Sequence, residues 1–170
     1  MTRLVCMTGS AADLAAAELY EQNAALFAEH FPERFLERVR ALKGVFVQAG
    51  SEANGEELPR SAGKKDGRQA VSIGEGGLWA ALWDLGEAAG TGLTVDAAAI
   101  PIRQEAVEVC EFLGQDPYAL PSSGQVFLLD PRDAADAGQP DFTVIGRTAG
   151  AAARTVRIGD RVRYLNRSTR

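Results

Sequence analysis

The chain has 170 residues, 46% hydrophobic and 24% charged, with a net charge of -5. That length supports a single packed core without staples, and the acidic balance excludes a general electrostatic binder of nucleic acid. Two distant cysteines, one histidine and no apolar run of membrane length exclude a disulfide framework, a zinc cluster and a membrane span, and point to a reducing, cytoplasmic setting.

Taken in chain order, "RLVCMTG" from Arg3 to Gly9 reads as a short buried strand closed by a glycine turn. Ser10 is expected to cap an alanine-rich helix reaching about His30, with Asp13 three positions on as in a capping box. Pro32 suits the first turn of a second helix, in which Phe31, Phe35, Leu36, Val39 and Leu42 form an apolar stripe. The polar stretch at about 50–69, rich in Gly and Pro, has too few apolar residues to offset the entropy of ordering. Its "GKKDG" lacks the hydroxyl residue of a phosphate-binding P-loop. Trypsin is expected to cut it at Arg60, Lys64, Lys65 or Arg68 before the helices, and protection there would overturn that reading.

"SIGEGGLWAALWDLGEAAG" (Ser72 to Gly90) predicts a strand end, a glycine turn and an apolar helix. Next come a strand ending near Pro101, a helix with Ala106, Val109, Cys110 and Leu113 on one face, and strands at "QVFLLD" and "DFTVIG". One helical turn fits between Asp130 and Pro140, and "TVRIGDRVRYL" predicts a hairpin turning at Gly159-Asp160. The mixture predicts an α+β domain over residues 1–170, with helices covering a mostly antiparallel sheet.

Gly74, Gly76 and Gly77 leave main-chain N–H groups able to approach an anion at a helix start; the same spacing also serves tight helix–sheet packing. Leu78, Trp79, Leu82, Trp83 and Leu85 form a wide stripe that suits either a core or a subunit contact. Arg103 and Glu105 fit a surface ion pair or a ligand contact. Arg154, Arg157, Arg161, Arg163, Arg167 and Arg170 make the end of the chain locally basic, as an exposed strand edge with a solvated tail or as a patch for RNA or phosphate.

Three segments in fixed order, "GEGGLWAALWDLGEAAGTGLTVD", "IPIRQEAVEVCEFLGQDPYAL" and "SSGQVFLLD", resemble the C-terminal domain of the aminoimidazole ribonucleotide (AIR) synthase superfamily, and its hydrogenase-maturation-like branch in particular. The resemblance is strongest from Val71 to Asp130. It implies an AIR synthase C-terminal fold and an ATP-dependent assembly whose nucleotide is held mainly by an N-terminal half. It also implies a phosphate-facing surface made by Ser72, Gly74, Glu75, Gly76 and Gly77 together with Ser122, Ser123 and Gly124. Ser72 stands where the family turn carries an acid, and Gly74 where it carries Thr. The resemblance therefore implies an incomplete or degenerate enzyme with no catalytic residue of its own, taking ATP and magnesium only when a partner completes it. The alternative is a non-catalytic oligomeric or regulatory module. Expected partners are a second copy, as a homodimer, or a protein like the AIR synthase N-terminal domain, with neither nucleic acid nor membrane.

Overall fold

A computed structural model describes residues 1–50, 63–65, 68–136 and 141–166. The strands are β1 (Leu4–Met7), β2 (Gly63–Lys65), β3 (Arg68–Gly74), β4 (Gly92–Asp96), β5 (Ser122–Leu129), β6 (Thr143–Ala149), β7 (Arg154–Ile158) and β8 (Arg161–Tyr164). The α-helices are α1 (Asp13–Gln22), α2 (Ala24–His30), α3 (Glu33–Gly50), α4 (Gly77–Ala89), α5 (Gln104–Phe112) and α6 (Pro131–Asp136), with 3-10 turns at Ala97–Ala99 and Pro117–Ala119.

All eight strands form one sheet in the order β2-β3-β5-β1-β6-β4-β7-β8. Every pairing is antiparallel except β4 with β7. The α+β architecture is as the sequence predicts. The polar stretch at about 50–69 lies mostly outside the described residues, but Gly63–Lys65 within it is a strand paired with Arg68–Ala70.

Side-chain alternation divides the sheet into two faces. Val5, Met7, Val71, Ile73, Leu93, Val95, Val126, Leu128 and Val156 point to the face covered by α4, against Leu78, Leu82 and Leu85. Each fully buried leucine contributes roughly 1.5–3 kcal/mol. Trp79 joins this core and its indole N–H donates to Asp116 at 3.1 Å. Trp83 packs at its margin, with the Arg154 guanidinium 4.4 Å from its ring centroid. Leu78, Trp79, Leu82 and Leu85 of the stripe are therefore core packing, and Trp83 is partly buried at its edge. Arg154 is accordingly no surface cation: its side chain is 10% exposed and ion-paired with Glu87 at 2.7 Å.

A second apolar cluster joins α1, α2, α3 and α5 through Ala16, Tyr20, Phe27, Leu36, Val39, Leu42, Val109 and Cys110. The first helix does not run unbroken to His30. It stops at Asn23, whose side-chain amide donates to the Leu19 carbonyl at 2.8 Å and competes with the helix backbone. Arg38 pairs with Glu105 at 3.2 Å, so that acid serves an inter-helix ion pair. On the opposite sheet face a smaller cluster of Cys6, Phe127 and Leu129 lies under Phe142 and Ala134.

Both cysteines are free and buried. Burial pushes the Cys110 thiol from 9.0 up to about 11, with the Asp116 carboxylate adding to it. Tyr118 is raised by the same two causes. Both groups are neutral when protonated, so their contribution to stability is complete below the unfolded-state value and is lost as pH rises through the folded one. Stability should thus fall between about pH 9 and pH 11. Urea titrations across that window should show a shallower fall for Cys110→Ala; an unchanged slope would contradict this account.

Candidate functional site

β1 and β3 both run antiparallel to β5, so the C-terminal ends of β1 and β3 meet the N-terminal end of β5 at one end of the sheet. Gly74 stands opposite Ser122, and Ser72 opposite Gln125, with an irregularity between Ser72 and Gly74. The two small-residue turns identified in the sequence are therefore neighbours. Ser72, Gly74, Glu75, Gly76 and Gly77 lie on one side, and Ser122, Ser123 and Gly124 on the other.

Within the first turn the glycines divide by role. Gly77 has φ +70, and a Cβ there would lie 2.5 Å from the Ala119 carbonyl carbon and 2.7 Å from the Tyr118 oxygen. Only glycine lets α4 approach that backbone, which is the packing reading. Gly74, Glu75 and Gly76 are exposed. Gly76 precedes α4 without any side-chain cap, and the residues that follow it, Gly77, Leu78 and Trp79, are buried.

The second turn is bound inward. The buried Ser122 hydroxyl accepts from the Ala12 N–H at 2.7 Å and donates to the Leu120 carbonyl at 3.1 Å. Ser123 donates its N–H at 3.0 Å and its hydroxyl at 2.7 Å to the Asp13 carboxylate. Asp13 also accepts the Leu14 N–H at 2.9 Å. Gly124, at φ +89, leaves room for the Thr8 carbonyl, which a Cβ would meet at 2.2 Å. Thr8 and Gln125 exchange two further bonds, one to the Thr8 hydroxyl and one to the Gln125 carbonyl, each 3.0 Å.

The expected capping box is not formed. Ala11 bonds to the Pro101 carbonyl at 2.8 Å and forms a parallel bridge with Ile102, and the Ser10 hydroxyl donates to the same carbonyl at 3.4 Å. Helix α1 consequently starts from Ala12 in a left-handed conformation, φ 55, with no side-chain cap. A non-glycine residue there is strained, and the Ser122 hydroxyl holds its N–H. Thr8, Ala12 and Asp13 thus shape the site. Only Asp13 had a signal in the sequence, and that signal pointed to a local partner.

No family model matches the chain. Carbamoyl dehydratase HypE of Rhodobacter capsulatus is 36% identical over 86 residues, which is 51% of this chain and 25% of that protein. The chain is similar to HypE over that stretch. Among solved structures, HypE in complex with ATP superposes with a TM-score of 0.65 at 18% identity, covering 96% of this chain and 50% of that one. Thiamine monophosphate kinase from Aquifex aeolicus gives a TM-score of 0.54 at 21% identity, covering 91% of this chain and 49% of that one. These HypE and kinase likenesses show a common fold, and the AIR synthase-related resemblance read from the sequence holds. The chain spans about half the length of the solved structures, and the HypE sequence match spans a quarter of that protein. Partial coverage of this kind fits a C-terminal domain.

Asp13 is the joint on which the turn cluster closes. Asp13→Ala leaves three donors without their acceptor and should destabilise the fold by about 2–4 kcal/mol. Asp13→Asn retains an acceptor for the two N–H groups and should cost less than half of that. Urea denaturation of the two variants checks the ordering, and equal losses would refute it.

Proposed function

We propose that this chain is the phosphate-facing domain of a HypE-like, ATP-dependent assembly whose nucleotide is held chiefly by a nucleotide-binding half, and that it turns over no ATP alone. The observation that carries this reading is the pairing of Gly74 with Ser122, which sets the exposed Gly74–Gly76 backbone beside the Ser122–Gly124 turn. The start of α4, which no side chain caps, adds the positive end of a helix dipole. The Ser122 and Ser123 hydroxyls serve as the platform, since both are engaged within the fold, and the exposed main chain of Gly74–Gly76 makes the anion contact. HypE has been solved both with ATP and in complex with HypF, so a nucleotide and a protein partner suit this fold.

Glu75 is the single carboxylate of the first turn, and Ser72 leaves its strand without one. Among the described residues no group of three or more His, Cys, Asp or Glu side chains is placed to hold a metal ion. Magnesium asks for several oxygen ligands in octahedral array. These residues do not fit it, and we assign the ion to the nucleotide-binding half. Among the described residues no helix is long and apolar enough to cross a membrane.

Glu75 also supplies the test. Its exposed charge opposes a phosphate at the turn, so Glu75→Arg should tighten Mg·ATP binding about 3- to 10-fold at low salt, with the gain shrinking as salt is added. The measurement is a titration of the chain mixed with a HypE nucleotide-binding half. No change in Kd would remove the phosphate-facing role, and robust ATP turnover by the chain alone would remove the dependence on a partner half.

A further inference from the structure

Strand β8 closes one edge of the sheet, and all four of its residues are exposed. Its outer N–H and C=O groups have no strand neighbour among the described residues. Val162 and Tyr164 are 65% and 69% exposed, more than any other large apolar residue except Met1. Register shows how its side chains divide. Val162 stands opposite Arg157 and Tyr164 opposite Thr155, on the sheet face away from α4. Arg163 stands opposite Val156 and Arg161 opposite Ile158, on the other face. Arg157 is matched by Asp96 across the parallel β4–β7 pair. Arg161 and Arg163 have no ion-pair partner among the described residues. The edge therefore offers an apolar row on one face and a cationic row on the other, within a chain whose net charge is -5.

We propose that β8 receives an extended segment of a partner protein as a ninth, added strand, and that this segment alternates acidic and apolar residues. Acids would stand opposite Arg161 and Arg163, and β-branched or aromatic side chains opposite Val162 and Tyr164, which are the favourable cross-strand pairs. Main-chain bonding along the open edge supplies the affinity and the alternation supplies the specificity. A second copy of this chain does not fit. An antiparallel pairing of two β8 strands that sets Val162 against Val162 or against Tyr164 also sets arginine against arginine, and one centred on Tyr164 overlaps a single residue of each strand. Nucleic acid is served less well, because it makes no use of the Val162 and Tyr164 row and meets only two unpaired cations among the described residues of β8.

The probes are two labelled hexapeptides of equal composition, acetyl-Glu-Val-Glu-Val-Glu-Val-amide and acetyl-Val-Val-Val-Glu-Glu-Glu-amide, together with a single-stranded oligothymidylate. The alternating peptide should bind about tenfold more tightly than the block peptide by fluorescence anisotropy and should slow hydrogen exchange at the β8 amides. The double variant R161E/R163E should lose about tenfold of that affinity with an unchanged melting temperature, since both side chains are exposed. Equal binding of the two peptides, stronger binding of the oligothymidylate, or no binding of the alternating peptide at millimolar concentration would each overturn the proposal.

Discussion

The Asp13 carboxylate and the hydroxyls of Ser122 and Ser123 hold the turn cluster together. Between Thr8 and Asp13 the chain leaves β1, crosses to Pro101 and enters α1, a path with few backbone bonds of its own. Five contacts with residues 122–125 fix that path: Ala12 to Ser122, two from Ser123 to Asp13, and the exchange between Thr8 and Gln125. Because β5 is also the neighbour of β3, the same contacts fix where the Gly74 turn sits. A buried carboxylate that accepts three hydrogen bonds is well compensated for leaving water, and it orients each of its donors. The site is thus carried by a polar joint built upon an apolar sheet.

This arrangement divides the work of the two turns. Ser122, Ser123 and Gly77 are committed to the interior, by hydrogen bonds in the first two cases and by close backbone approach in the third. Gly74, Glu75 and Gly76 face outward. Rigid support behind a short exposed loop suits ligand contact, since the entropy of ordering the loop is met during folding.

Much of the fold was legible from periodicity. The α4 stripe and the α5 face follow the 3.6-residue repeat of their apolar residues and pack as that pattern predicts, and the hairpin turns at Gly159-Asp160 as expected. The contiguity of the two turns was legible only through the family resemblance, because strand order is not encoded in local pattern. The capping box misled because Ser10 and Asp13 have the right spacing but distant partners: the Pro101 carbonyl lies 91 positions away and Ser123 lies 110. Arg154 misled similarly. Its place in an arginine-rich run suggested solvent, whereas the missing side chain at Gly86 lets it fold down against α4 beside Trp83. Asn23 breaks a helix that alanine content alone would continue, through a side-chain bond that competes with the backbone.

The position of β1 has a consequence for the order of assembly. The first strand of the chain is interior to the sheet, with β5 on one side and β6 on the other. Leu4 pairs with Leu129 and with Arg147, so neither edge of β1 is closed until β5 and β6 have been made. Contacts so distant in sequence carry a large loop-closure entropy and slow the search for the native pairing. During synthesis Val5, Cys6 and Met7, all fully buried in the end, must wait as an apolar strand with both edges open. A nascent chain arrested before β5 is expected to cling to chaperones.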